Sequence, residues 1–453
     1  MALSCDGASS GAQSCEGQAA ACDEADMGSS EPEARGRGVF ASPPLAGLAA
    51  TQALVPFGWW RPGEFRALPR PLLHAAPSQG IIMRQLRGAR PSKRSAHLVP
   101  HGEPVVARRY GTPRVFYCTH VTSRALTRRN RCELPTILRH DEQHLAAVGA
   151  EECWERVVAS PEVVEWLMGV PRGWTGTEPL AQELAQQHAF GDAALGRPGS
   201  KKQAALSLFS GCGALDFGLL AWARPVAYCE SCEAAVEVLR ARMSDGTLPA
   251  APVHRDIRSM TAAHLRGQVA GIVMGFPCGD ISAAGAKLGF GGERSVLVYE
   301  ALRLADEAQC AWIFLENVSH IRGMPEVWRP LFQALGSQGF TVQWCTLEAS
   351  CAGSPQGRRR WFAVARRWPG SLGGPSVSAS PHSVGAAPPS ARKDGRLARF
   401  EEQSGARFNG GRPPPTRWLL PRNAYPAVEA RLRMLGNAVV PLQAYLAAVI
   451  LDL

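Results

Sequence analysis

Cys278 closes the run Gly275-Phe276-Pro277-Cys278, which continues the apolar stretch 271–275 without a break. A thiol at the end of a buried strand is a useful nucleophile where its surroundings favour the thiolate; elsewhere it is an inert packing residue. Taken alone, Cys278 admits both readings. A carboxyl group stands at the end of the following apolar run, in Leu315-Glu316-Asn317-Val318. Partly desolvated there, Glu316 would keep a raised pKa and could donate a proton. Upstream, Phe209-Ser210-Gly211-Cys212-Gly213-Ala214-Leu215-Asp216 puts two glycines between an apolar run and a helical pattern. Such glycines either let a ligand approach the backbone at the carboxyl edge of a sheet or simply make a tight turn. Glu230 and Asp256 stand where the next two strands should end. Acids so placed can accept hydrogen bonds from ribose hydroxyls or an adenine amine, although each alone could equally be a solvated loop acid.

These groups need a scaffold that brings strand ends together. Short apolar runs at 205–209, 226–228, 271–275 and 312–315 alternate with helical patterns that start near Ala214, pass through Glu237 and Leu239, and cover 296–308. Strand and helix in alternation predict an α/β fold, a doubly wound parallel sheet with helices on both faces. The stretches 340–347 and 361–365 complete the series, the latter as a hairpin partner, and 437–451 reads as a final apolar helix. There is no internal repeat.

Five motifs occur in order: Phe209-x-Gly-x-Gly, Pro277-Cys278, Glu316-Asn317-Val318, Gln356-x-Arg358-x-Arg360 and Gly436-Asn437-Ala438-Val439. Their order and spacing resemble the cytosine-C5 DNA methyltransferases over about 203–367 and 425–453. The resemblance implies a Rossmann-like methyltransferase sheet with a smaller irregular DNA-recognition region, S-adenosyl-L-methionine as cofactor, and DNA with a flipped cytosine as partner. It implies that Phe209 packs on the adenine, that Glu230 holds the ribose and that Asp256, beside Ile257, takes the adenine amine. Gly211, Gly213, Pro277, Leu297, Asn437, Ala438 and Val439 look like further cofactor contacts. Cys278 resembles the nucleophile that adds to C6 of cytosine, and Glu316 the partner of N3 and the exocyclic amine. Arg360 is similar to the arginine that meets O2, with Arg358 beside the nucleophile. Ser282 and Arg294 match the loop that closes over the flipped base, and Gln356 is grouped with them on the substrate side. The chemistry agrees: cytosine C5 is a poor nucleophile until a thiolate adds at C6, and the charge then developing on the ring calls for an acid and a cation. A base stacked in duplex must leave the stack to be attacked. No metal is implied.

The sequence departs from the family in places. Gly279 stands where glutamine usually follows Pro-Cys, Ser231 replaces the aromatic after the ribose acid, and Ser295 replaces the glycine after the loop arginine. The stretch 160–175, containing Glu165-Trp166-Leu167-Met168-Gly169 and Gly173-Trp174-Thr175, looks like one that phage-type members carry after their recognition region. Here it precedes the cofactor motif, and about 55 loop-like residues separate Trp368 from Tyr425. The expected organisation is therefore permuted: a low-complexity, disordered region over 1–83 (with 36–80 as linker or partly docked strand), a basic recognition-like region over 84–180, a catalytic domain over 203–369 and 425–453, and a linker over 370–424. From Arg84 to Arg139 arginine dominates, faced by Glu103 and Glu133 and little else. Arginine suits phosphate and guanine-edge contacts.

Composition bounds the alternatives. Across 453 residues, 49 Lys and Arg stand against 39 Asp and Glu, a formal net charge of +10, and only five of the basic residues are lysine. Such a balance is compatible with a polyanionic partner. Thirteen scattered cysteines, an odd count, suggest free thiols in a reducing, intracellular compartment: nucleus in a eukaryote, otherwise cytoplasm or nucleoid. The sequence lacks an uninterrupted apolar run of about 18 residues, so no membrane span is expected, and no obligate protein partner is inferred. Cys118, Cys132, His140 and His144 match no compact zinc pattern, and the Cys229-x-x-Cys232 pair reads as packing residues. The other functions left open are the same chemistry on tRNA and a catalytically silent DNA-binding role.

Overall fold

The computed structural model describes residues 53–68, 157–181, 202–277, 297–352, 354, 356–368, 419–421 and 427–453. In chain order its strands are β1 (Phe57–Arg61), β2 (Glu64–Ala67), β3 (Val157–Ala159), β4 (Gln203–Leu208), β5 (Ala223–Cys229), β6 (Val253–His254), β7 (Gly271–Gly275), β8 (Trp312–Val318), β9 (Phe340–Glu348), β10 (Arg359–Arg367) and β11 (Leu419–Pro421). Nine of them form one sheet in the order β2-β1-β9-β10-β8-β7-β4-β5-β6, while β11 pairs antiparallel with β3. Strands β6, β5, β4, β7 and β8 run parallel. β10 lies antiparallel between β8 and β9, and the β1–β2 hairpin extends the β9 edge. The order of connection reverses between β4 and β7, so the crevice at their carboxyl ends is a topological switch point, where sheets of this kind hold ligands.

The helices are α1 (Pro161–Met168), α2 (Ala214–Leu219), α3 (Glu233–Ser244), α4 (Leu297–Glu307), α5 (Pro325–Ser337), α6 (Val428–Asn437) and α7 (Pro441–Ile450). Successive side chains of a strand face opposite ways, and both faces of this sheet are covered. Ala205, Val273 and Phe314 join one core with α1, α2, α6 and α7; Leu206, Ile272 and Ile313 join the other with α4 and α5. Continuous apolar runs follow from that double burial. The doubly wound α/β fold expected from the sequence is the fold observed.

Three stretches sharpen the expectation. Residues 57–67, within the stretch read as linker or partly docked strand, form a hairpin whose Trp60 is buried against Phe332 on α5, ring centroids 5.5 Å apart. The expected helix over 437–451 is α7; α6, ending at Asn437, precedes it without having been expected, and α7 starts four residues later with Pro441 in its first turn. Proline suits that position because its missing N–H has no partner there anyway. Finally, residues 419–421, within the expected linker, form β11. The stretch 428–450 is long and apolar enough to cross a bilayer by composition, yet most of it is buried in the protein and it contains the α6–α7 break. It serves as core helices. The arginine-rich run 84–139 and the residues Cys118, Cys132, His140 and His144 lie outside the described residues.

Candidate active site

The first strand of the switch point delivers the glycine turn. Phe209, Gly211 and Gly213 all have positive φ (56°, 54° and 75°). At Gly213 a Cβ would come within 2.4 Å of a Leu248 methyl carbon, so both the conformation and the space require glycine. Above Gly211 an added Cβ would meet nothing within 4 Å, which leaves the turn open toward the crevice. The Glu230 carboxylate, at the end of β5, accepts from the Gly211 and Cys232 amides at 2.8 Å each. Turn and acid are thereby locked to one another. Asp256 is exposed at the end of β6 and accepts from the Arg258 amide at 3.0 Å, while Ile257 beside it is buried. Phe209, Pro277 and Leu297 are half-buried.

A second group forms where β7, β8 and β10 meet. Glu316 pairs with Gly275 on one side and Phe362 on the other, and Arg360 sits two residues from Phe362 on the same face. The two charges form an ion pair at 2.8 Å, each side chain 11% exposed. A Cβ at Gly275 would reach 3.2 Å from a Glu316 carboxylate oxygen, so the glycine leaves room for that group. Burial pushes the Glu316 carboxyl up, opposed by the charges of Arg360 and Arg358. Asn317, buried, donates to the Phe276 carbonyl at 3.2 Å, and its own oxygen accepts from the Val318 amide at 2.8 Å. The backbone immediately before Pro277 is thus tied to the strand that carries Glu316. Cys278, Gly279, Ser282, Arg294 and Ser295 lie outside the described residues.

Arg358 and Gln356 both hold backbone carbonyls of the helices. Arg358 is buried and donates to the carbonyls of Gly436 (2.8 Å) and Ala438, at the end of α6. A guanidinium at a helix C-terminus satisfies carbonyls that have no partner within the helix. The Gln356 amide donates to Leu167 at 2.7 Å, on α1. Gln443 of α7 donates to the carbonyls of both Leu347 and Arg358. These residues join β10 to the helices, with Asn437 exposed, Ala438 half-buried and Val439 buried beyond.

Several supporting residues carry no motif signal. Asp216 is buried beneath the glycine turn, where its carboxyl group accepts from Ser207 Oγ at 2.9 Å, and the Ser210 hydroxyl lies 2.8 Å from the same Ser207 oxygen. Desolvation pushes the Asp216 carboxyl up to about 7. On α4, Arg303 donates to the carbonyls of Ile257 (3.1 Å) and Met260 (2.9 Å), and Glu307 accepts from the Ala262 amide at 2.8 Å. The loop after Asp256 is strapped to the helix that begins at Leu297. Helical i,i+4 spacing of Arg303 and Glu307 was visible in sequence, but their backbone targets were not. Of the pair read as packing residues, Cys229 is buried whereas Cys232 is exposed and its amide serves Glu230, so only the first packs. Among the described residues no cluster of His, Cys, Asp and Glu is arranged to hold a metal ion.

Comparison with known proteins adds a family to this geometry. A family model described as C-5 cytosine-specific DNA methylase matches residues 204–376. The chain is 32% identical over 162 residues to Type II methyltransferase M.CviJI of Paramecium bursaria Chlorella virus IL3A, covering 36% of this chain and 42% of that protein. It is 32% identical over 172 residues to Type II methyltransferase M2.BsuMI of Bacillus subtilis, covering 35% and 41% respectively. To Type II methyltransferase M.AquIA of Picosynechococcus sp. it is 31% identical over 180 residues, which cover 36% of this chain and 71% of the relative. The chain thus spans less than half the length of the first two.

Proposed function

Since the chain belongs to the C-5 cytosine-specific DNA methylase family, we propose that it methylates C5 of cytosine in DNA, using S-adenosyl-L-methionine. The observation that carries this reading is the Glu316–Arg360 pair, a buried carboxyl of raised pKa and a guanidinium on one face at the strand ends beside Pro277. The crevice suits the cofactor: an open glycine turn at the switch point, with carboxylates at the ends of the two adjoining strands. Glu230 would hold the ribose hydroxyls and Asp256 the adenine amine, with Phe209, Ile257 and Leu297 as apolar walls. Bound there, the cofactor supplies an electrophilic methyl group.

The chain's residues then divide the remaining work. A flipped cytosine would place N3 and its amine against Glu316 and O2 against Arg360. Burial raises the proton affinity of Glu316, which suits it to share a proton with N3 as the Cys278 thiolate adds at C6. Arg360 would stabilise the charge that develops at O2. Asn317 holds the backbone at Phe276, immediately before Pro277-Cys278. Arg358 anchors β10 to α6 and positions Arg360. Ser282 and Arg294 would close over the base and the phosphate backbone.

The recognition region is proposed to be 84–175, ahead of the cofactor motif. Support comes from β3 and α1, which precede β4 in the chain yet pack against β11 and α6 near its end. The test is transfer of tritium from labelled cofactor to duplex DNA and to tRNA, with a deletion of residues 84–150 in parallel. The expected result is label in duplex DNA alone, lost on deletion while cofactor binding survives. Label in tRNA alone would overturn the substrate assignment, and full DNA affinity after deletion would overturn the permuted arrangement.

A further inference from the structure

The segment from α1 to Thr175 lies at least 28 residues before β4 in sequence, yet it touches both parts of the site. At one end, the Trp174 indole N–H donates to the Cys212 carbonyl, inside the glycine turn, at 2.9 Å. The ring packs on Phe217 of α2 with centroids 4.7 Å apart. At the other end, the Leu167 carbonyl accepts from Gln356 at 2.7 Å and Ser354 at 3.1 Å, at the entry to β10. The middle is fixed by Glu165, fully buried, which accepts from the amides of Gly173 and Thr175 (2.8 Å each), from the Thr175 hydroxyl (2.6 Å) and from Arg431 of α6 (2.9 Å). A buried carboxylate supplied with donors this fully is costly to disturb. The segment is therefore a rigid link, and what it grips is the backbone of the turn rather than its surroundings.

We infer that residues 161–175 act as a positioning strap, in which Trp174 holds the glycine turn in the shape that binds cofactor. The inference rests on the reading of that turn as the S-adenosyl-L-methionine site. Cys212 lies between the two glycines with positive φ, where the backbone has the most freedom to leave the bound shape. A hydrogen bond from a ring locked by packing removes that freedom. Glu165 and Arg431 act one step further out, by fixing the loop that carries Trp174.

Trp174→Phe keeps a ring on Phe217 and removes only the indole donor. Losing one buried hydrogen bond to a preorganised site should weaken binding of S-adenosylhomocysteine about tenfold, read by calorimetry, and raise the cofactor KM equally while kcat changes by less than about twofold. A residue with a merely structural role would lower the melting temperature and leave the affinity of the folded fraction unchanged. Hydrogen exchange on the unaltered chain gives an independent reading, because coupling between two sites is reciprocal. S-adenosylhomocysteine should slow exchange both at 209–213 and in the Gly173–Thr175 amides that face Glu165. Binding heat with unchanged affinity in Trp174→Phe, or protection at 209–213 with none at 173–175, would overturn the strap while leaving the cofactor site standing. No heat and no protection anywhere would instead overturn the cofactor reading, and the strap with it.

Discussion

The two edges of the crevice are built on opposite principles. At the cofactor edge, Glu230 and Asp256 are partly or fully open to solvent, and their positions are set by backbone amides. At the base edge, Glu316 and Arg360 are largely withdrawn from water and face each other at 2.8 Å. A half-exposed carboxylate makes hydrogen bonds worth about 1 kcal/mol each, which suits ligand binding. Burial raises the proton affinity of a carboxyl, which suits moving a proton. On the proposed function, binding energy and chemistry divide across β4 and β7, and substitutions on the two sides should move different kinetic constants.

The largest effect is expected from Glu316→Gln, which keeps the shape and removes the proton. It should lower kcat by about a thousandfold while leaving S-adenosylhomocysteine affinity unchanged in calorimetry. Asp216→Asn addresses the floor beneath the cofactor edge. Folding raises the Asp216 pKa from 3.8 to about 7, so the fold favours the protonated acid. The stability this contributes is complete below pH 4 and is lost as pH rises through 7. The asparagine variant should therefore be more stable than the parent at pH 8, on the order of 4 kcal/mol, with the difference vanishing near pH 4 in urea titrations. Glu230→Gln should raise the cofactor KM about tenfold with kcat nearly constant, since it weakens a hydrogen-bonded carboxylate and leaves the base edge untouched. The smallest change belongs to Arg303→Lys. It retains a charge for Glu300 and Glu307 but loses the fork that reaches Ile257 and Met260, so the KM should rise about threefold.

Much of this contrast was readable from residue order. Buried strands announce themselves as short apolar runs, so β4, β5, β7, β8, β9 and β10 overlap the expected stretches, most of them running a few residues beyond, and the glycine turn lies at the end of the first. The helix α5 escaped notice because Pro325 and Pro330 look like breakers, although the first sits where a helix tolerates proline. The start of α7 was placed four residues early because the apolar run begins before Pro441, at Ala438, Val439 and Val440. Side-chain targets were less legible still. A Gln-x-Arg-x-Arg pattern says that cations line a strand end, but not that Arg358 spends itself on the carbonyls of α6 while Arg360 meets Glu316. Glu165 and Trp174 belong to a stretch whose likeness to phage-type members was plain. Their partners, Arg431 and the Cys212 carbonyl, come from distant parts of the chain and follow only from the fold.

The central claim is that the base edge performs covalent addition to cytosine in DNA, with Cys278 as the nucleophile. The most direct test incubates the full chain and S-adenosyl-L-methionine with duplex DNA in which 5-fluorocytosine replaces cytosine. Fluorine at C5 blocks the loss of a proton that would release the enzyme. The expected product is an adduct that survives denaturing electrophoresis, requires cofactor and disappears in Cys278→Ala. Failure to trap any adduct on duplexes of random sequence, by a chain shown to bind S-adenosylhomocysteine, would contradict that claim.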